Sequence, residues 1–128
     1  MSSHLQDLKS MKIQSLKNQA WVAHHCFVAN SFTSRLRGLI GTRSLPEGQG
    51  LLLTRCNDIH MWFMSISIDV VFVQKQTDTL YRVTSVVSQV QPWKWFPIRD
   101  PHAHHTLELP LHTIERCQIQ RGDILCID

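Results

Sequence analysis

The 128-residue chain has no pair of cysteines at C-x-x-C spacing. Cys26, Cys56, Cys117 and Cys126 stand far apart, so they are expected as free, buried thiols rather than as disulfides. No apolar stretch approaches the ~18 residues of a membrane-spanning helix. Met1 to Lys17 is polar, carries Lys9, Lys12 and Lys17, and lacks the apolar core of a secretory signal, so a cytoplasmic location is expected. There is little excess charge of one sign. The net charge is only +3, too weak to argue for nucleic acid. Arg35, Arg37, Arg43 and Arg55 are locally concentrated, but no aromatic residues are interleaved for base stacking. The Gly-containing stretch Leu45 to Gly50 lacks phosphate-loop spacing, and no G-x-S-x-G elbow occurs. Internal repeats and low-complexity segments are also missing.

What is present is an ordinary globular composition, 43% hydrophobic and 18% charged. The length suits one domain with a real core. Residues 1–10 read as a tail and 11–128 as the domain. The chain is organised around residues 59–73, its longest apolar run, which contains His60 and Asp69. Ile66 to Val73 is β-branched and aromatic, hence a strand. Alternation puts Ile66, Ile68, Val70 and Phe72 on one face and Ser67, Asp69, Val71 and Val73 on the other. A strand apolar on nearly both faces is central and covered on both sides. Asp69 is then partly buried. Either it is structural, accepting backbone N–H groups or pairing with an Arg, or it is a functional carboxylate.

Further strands are expected over 12–17 and 20–29. In the second, Trp21, Ala23, His25, Phe27 and Ala29 share one face, and Val22, His24, Cys26 and Val28 the other. Asn30 and Ser31 can cap a helix from Phe32 to Ile40, with Gly38 inside it and Gly41 just beyond its end. Short strands follow over 51–53, 106–109 and 124–127 and a long one over 80–90, with a short helix near 111–117. In the 80–90 strand, Tyr81, Val83 and Val87 are expected to oppose Arg82, Val86 and Val90. Pro92-Trp93-Lys94-Trp95-Phe96-Pro97 cannot be an interior strand. It is either a lid over the core or an exposed contact patch. Glu108, flanked by Leu107 and Leu109, is expected to face solvent or to pair with an Arg of the first helix. Asp123 after Gly122 is expected to fix a turn. The fold class is α+β, mainly antiparallel β, a compact barrel-like curled sheet with two short helices.

Several segments, taken in order, resemble the domain of unknown function 192 family. They are Ser31-Phe32-Thr33-Ser34-Arg35-Leu36-Arg37-Gly38-Leu39-Ile40-Gly41, Gly50-Leu51-Leu52-Leu53, Cys56-Asn57-Asp58-Ile59-His60 and Phe63-Met64. Ile68-Asp69-Val70-Val71-Phe72-Val73, Pro92-Trp93, Leu107-Glu108-Leu109-Pro110 and Gly122-Asp123 complete the set. The match spans roughly residues 11–127. The resemblance implies one small domain of mostly antiparallel strands curled into a barrel-like sheet, and no established activity. The chain departs from the family pattern at Ser67, where Pro is usual, and at Met61, where Thr is common. Leu111-His112 replaces an Ala-Gly pair, which puts that turn's geometry in question. A Gly expected near Asp78 is missing.

Three readings of function remain. The favoured one is a module that binds a small molecule, a peptide or a protein, with no cofactor, no nucleic acid and no membrane. Its ligand would meet His60, Trp62, Met64, Asp69, Trp93 and Trp95. A second is an acid–base enzyme with His60 as general base and Asp69 or Glu108 as partner. A third is a metal site drawn from Cys56, His60, His102 and His104, residue types that suit a transition metal.

Overall fold

Nine strands and three short helices follow one another in a computed structural model that describes residues 3–40, 42–61, 64–93 and 97–128. For residues 3, 4, 32, 36 and 37 only the backbone is described. After a helical turn, α1 (Ser3–Gln6), come β1 (Ser10–Ser15), β2 (Trp21–Ala29) and α2 (Phe32–Arg37). Then follow β3 (Gln49–Leu53), β4 (Asp58–Ile59), β5 (Ile68–Lys75), β6 (Leu80–Val90) and β7 (Ile98–Arg99). The chain ends with β8 (His105–Pro110), α3 (Thr113–Cys117) and β9 (Ile124–Ile127). Seven strands close into a barrel in the order β1-β2-β3-β8-β5-β6-β9, and β9 returns to β1. Every pairing is antiparallel except β2 with β3, which α2 connects. β4 and β7 form a separate two-stranded ribbon. The mainly antiparallel, barrel-like α+β fold is therefore as expected.

Closing a sheet gives it an inside and an outside, and alternation assigns each side chain to one of them. One buried cluster draws residues from all seven barrel strands, among them Ile13, Cys26, Leu52, Val71, Tyr81, Leu107 and Leu125, and so fills the interior. Cys117 and Ile119 join it, so α3 closes one end. The second cluster lies on the outer face. Phe27, Leu51, Leu53, Ile68, Val70 and Phe72 point outward there. Leu5, Leu39, Ile59, Met61, Met64, Ile98 and Ala103 cover them. β5 lies between β8 and β6, and its first six residues are all buried. That is the doubly covered central strand its composition predicts.

Simple alternation fails at β-bulges, where one strand carries an extra residue. Val73 pairs with Val83 but Phe72 with Ser85, so Thr84 is extra. Val86 therefore joins the interior group with Tyr81 and Val83, while Val87 turns outward. This exchanges Val86 and Val87 relative to the expected grouping on β6, while Tyr81 and Val83 still oppose Val90. A second bulge lies on β2, where Met11 pairs with Cys26 and Ile13 with Ala23. The N–H groups of His24 and His25 both donate to the Gly48 carbonyl, at 2.7 and 3.0 Å. Ala23 and Cys26 consequently both face inward, whereas Phe27 and Ala29 face out, and both histidines are exposed.

Two helix ends also differ from expectation. α2 starts as predicted, with Ser31 Oγ accepting from the Ser34 N–H and Ser34 Oγ from the Ser31 N–H. It stops at Gly38, not at Ile40, because Gly38 takes φ +46° and its N–H returns to the Ser34 carbonyl. Gly41 lies outside the described residues. At α3 the family's usual Gly position holds His112, at φ +72°. The turn is thus kept although the glycine is lost, at a cost of about 1–2 kcal/mol for a side chain in the left-handed region. His112→Gly should therefore stabilise the protein by about 0.5–1 kcal/mol in chemical denaturation. A lower midpoint would mean that the His112 side chain contributes more than its backbone strain costs.

Candidate functional site

Glu108 lies on β8 between Leu107 and Leu109, both of which point into the barrel. Alternation therefore turns Glu108 outward. Outward is not solvent here, because the outer face is covered. Glu108 is 6% exposed, flanked by Leu51 of β3 and Val70 of β5. The expectation of a solvent-facing or Arg-paired Glu108 is corrected by this covering layer. Among the described residues nothing hydrogen-bonds its Oε2. Burial pushes its carboxyl up to about 8. A buried polar atom without a partner costs about 1–3 kcal/mol, so it needs an explanation.

Above Glu108 opens a cleft of about 250 Å³. Leu53 and Glu108 form its floor, and Leu39, Ile59 and Met64 supply apolar walls. Arg35, Arg55, Cys56, Asp58 and His60 supply its polar surface. Both arginines bend toward one point. Arg35 Nη1 and Arg55 Nη2 donate to the same Asn30 carbonyl, at 3.0 and 3.3 Å. Neither meets a carboxylate among the described residues. Asp58, the second acid of the cleft, is instead taken by Arg99 at 2.7 Å. The backbone of Arg55 is fixed in the left-handed region, φ +52°, where His105 Nδ1 accepts its N–H at 2.9 Å. That hydrogen bond needs a neutral imidazole. Burial first, then the charges of His104 and Lys75, hold His105 below the usual histidine range. The Thr106 hydroxyl donates to the Cys56 carbonyl at 2.7 Å and fixes the next residue.

The sequence-derived candidates separate in space. His60 and Met64 line the cleft, as does Cys56. Trp62 and Trp95 lie outside the described residues. Trp93 is 59% exposed, and its N–H donates to the Met61 carbonyl at 3.0 Å. Asp69 does not share the cleft. It belongs to the face of β5 that carries Val71 and Val73, and it is 1% exposed. Ile68 pairs with Val90 and Val70 with Val87, so two residues of β6 bulge opposite Asp69. Asp69 Oδ1 accepts the N–H of Gln89 in that bulge at 2.9 Å, and Oδ2 accepts the Ile114 N–H of α3 at 3.0 Å. Accepting backbone N–H groups is the arrangement that the structural reading of Asp69 expects. His102 and His104 sit in the turn before β8 and do not line the cleft, although the His104 carbonyl accepts the N–H of the cleft residue Cys56 at 3.1 Å. His104 Nδ1 there accepts the Lys75 N–H at 3.2 Å. Among the described residues no three His, Cys, Asp or Glu side chains gather closely enough to hold a metal ion.

One polar centre carried no sequence signal. Asp100, 7% exposed, accepts hydrogen bonds from the Thr84 and Ser85 hydroxyls at 2.6 and 2.7 Å and from the His102 N–H at 2.9 Å. Burial raises its carboxyl, but the Thr84, Ser85 and His102 donors outweigh this and hold it below the usual range. Asp100 ties the covering segment 98–103 to β6. Asp123 does fix its turn, as expected, with Oδ2 accepting the Gln120 N–H at 2.8 Å and pairing with Lys17 at 2.9 Å. All four cysteines are free. Cys26 and Cys117 are buried, and burial pushes the Cys26 thiol up to about 12.

Two solved structures share this fold. One is a protein of unknown function from Novosphingobium aromaticivorans, with TM-score 0.76, 18% identity, and 92% of this chain and 84% of that one covered. The other, from Sinorhizobium meliloti, is described as a candidate transcription regulator, with TM-score 0.78, 19% identity, and coverage of 94% and 95%. At such identities the likeness is one of fold alone. A UPF0127 protein of Thermococcus sibiricus is 28% identical over 117 residues, 88% of this chain and 71% of its own length. A UPF0127 protein of Thermococcus gammatolerans is 27% identical over 122 residues, 92% and 75%. The model of the domain of unknown function 192 family, described as "Uncharacterized ACR", matches residues 13–127, and the chain belongs to that family.

Proposed function

We propose that this protein is a binding module whose site is the outer-face cleft between Glu108 and His60. One observation carries the reading. A carboxyl group with an unpartnered oxygen is buried on the floor of a cleft with apolar walls. Binding sites combine such walls with a few converging polar groups. A ligand that hydrogen-bonds Glu108 would remove the penalty of leaving it unpaired. The cleft volume of about 250 Å³ lies below the usual range for drug-sized ligands, so it favours a small molecule over a peptide or protein. Asp69 has no part in this site, since its two oxygens already serve Gln89 and Ile114. An acid–base pair of His60 and Asp69 is not favoured either, because Asp69 lines a separate small pocket beside Gln89, His112 and Ile114 while His60 lines the outer cleft.

The test is a fragment screen followed by ¹H–¹⁵N NMR on the intact chain. Hits are expected to perturb Leu53, Arg55, Ile59, His60 and Glu108 together, and Leu53→Trp, which fills the cleft, should abolish them. Hits that gather elsewhere, or persist in the filled variant, would remove the cleft as the site.

A further inference from the structure

The charge pattern of the cleft selects among small ligands. Two arginines that line it, Arg35 and Arg55, donate to one backbone carbonyl, that of Asn30, and neither has a carboxylate partner among the described residues. Arginine forks are suited to carboxylate and phosphate oxygens, and a single carbonyl leaves most of their donors unused. The nearby acid that could compete, Asp58, is engaged by Arg99. The same cleft is lined by the apolar Leu39, Ile59 and Met64 and by the buried Glu108 with its unpartnered oxygen. The lining thus combines two arginines, apolar side chains and a buried carboxyl group with an unused hydrogen-bonding atom.

Resting on the cleft as the binding site, we propose that the natural ligand is a small amphiphilic anion. Its carboxylate or phosphate is held by Arg35 and Arg55, its apolar body lies against Leu39, Ile59 and Met64, and a hydroxyl or carbonyl at its far end hydrogen-bonds Glu108. His105 is a positioning residue for this ligand. Its Nδ1 accepts the N–H of Arg55, whose backbone is left-handed, and it does not itself line the cleft.

Binding of defined probes tests the proposal. The probes are ω-hydroxyalkanoates of about four to eight carbons, the plain alkanoates, the corresponding alkyl phosphates and the α,ω-diols, titrated by NMR into the full chain. The hydroxyalkanoates or phosphates are expected to bind at least about tenfold more tightly than diols of equal length, since charge-assisted hydrogen bonds contribute about that much or more. Which anion binds better separates a carboxylate from a phosphate ligand. Arg55→Ala and Arg35→Ala should each erase most of that preference. Arg55→Lys should retain part of it, because the charge remains while the fork is lost. Glu108→Leu should remove the advantage of the hydroxyalkanoate over the plain alkanoate and leave the anion preference intact. Diols binding as tightly as the anions, or an anion preference unchanged in both alanine variants, would overturn the proposal while the cleft remained a binding site. Fragments that bind in the cleft while none of these anions does would overturn it in the same way. If neither fragments nor anions perturb the cleft, the binding reading itself falls.

Discussion

Raising the pH from 5.5 to 8.5 is expected to lower the unfolding free energy by about 3 kcal/mol through Glu108 alone. Its carboxyl, ordinarily at 4.5, is pushed up to about 8 by burial. Between those values the folded protein keeps a proton that the unfolded chain has released. The folded state then binds more protons than the unfolded one, so stability falls as pH rises, by roughly 1.4 kcal/mol per pH unit. The stabilising contribution is complete below about pH 4.5 and is lost once pH passes about 8. Urea unfolding of the wild type and Glu108→Gln at both pH values measures the effect. The variant should lack this component, so the two pH profiles should diverge by that amount. Parallel profiles would mean that Glu108 is solvated or paired in the folded protein. The same group bears on ligand recognition. At neutral pH it is largely protonated and presents an O–H donor at the floor of the cleft, which suits a hydroxyl or carbonyl better than an ammonium group.

Asp69→Asn should cost about 2–4 kcal/mol at neutral pH. The Asp69 carboxylate accepts two backbone N–H groups, one in the β6 bulge and one in the first turn of α3, where helix geometry offers no internal acceptor. His112, the residue before α3, makes no side-chain cap, so Asp69 takes that role from a distant part of the chain. Asparagine can keep one of these bonds through its carbonyl. Its NH₂ group would then face the other N–H, donor against donor, and hydrogen bonds to a charged acceptor are worth about 1.5–3 kcal/mol each. The urea midpoint should drop by about 1 M or more with an unchanged slope. A midpoint within about 0.3 M of the wild type would show that the two N–H groups find other acceptors. Ligand titrations of the folded variant should be unaffected, because Asp69 does not line the cleft.

Much of the architecture can be read from residue types. The run Ile66 to Val73 identifies a central strand because both of its faces are apolar. Ser31 marks the start of α2 through its short hydroxyl side chain, and Gly122-Asp123 marks the last turn. The order of motifs identifies the family over nearly the whole chain. Of the site, His60 and Met64 were legible because a histidine and a methionine inside an apolar run invite attention. Glu108 was not legible in that sense. Its position between two inward-facing leucines correctly indicates an outward side chain, but only the covering residues, among them Leu39, Ile59, Met61, Met64, Ile98 and Ala103, make that face an interior.

What the sequence determined by itself is therefore the seven barrel strands, the apolar faces of β5 and the family. These depend on local alternation and composition, which act over a few residues. The tertiary structure alone decided the rest. The bulges at Thr84, Gln89 and His24–His25 moved side chains from one face to the other, because register is a property of two strands and not of one. Asp69 became a structural acceptor because the N–H groups of residues 89 and 114 were brought to it. Arg35 and Arg55 became neighbours because both reach the Asn30 carbonyl, and Glu108 became the buried floor beneath them because a second layer packed over the barrel.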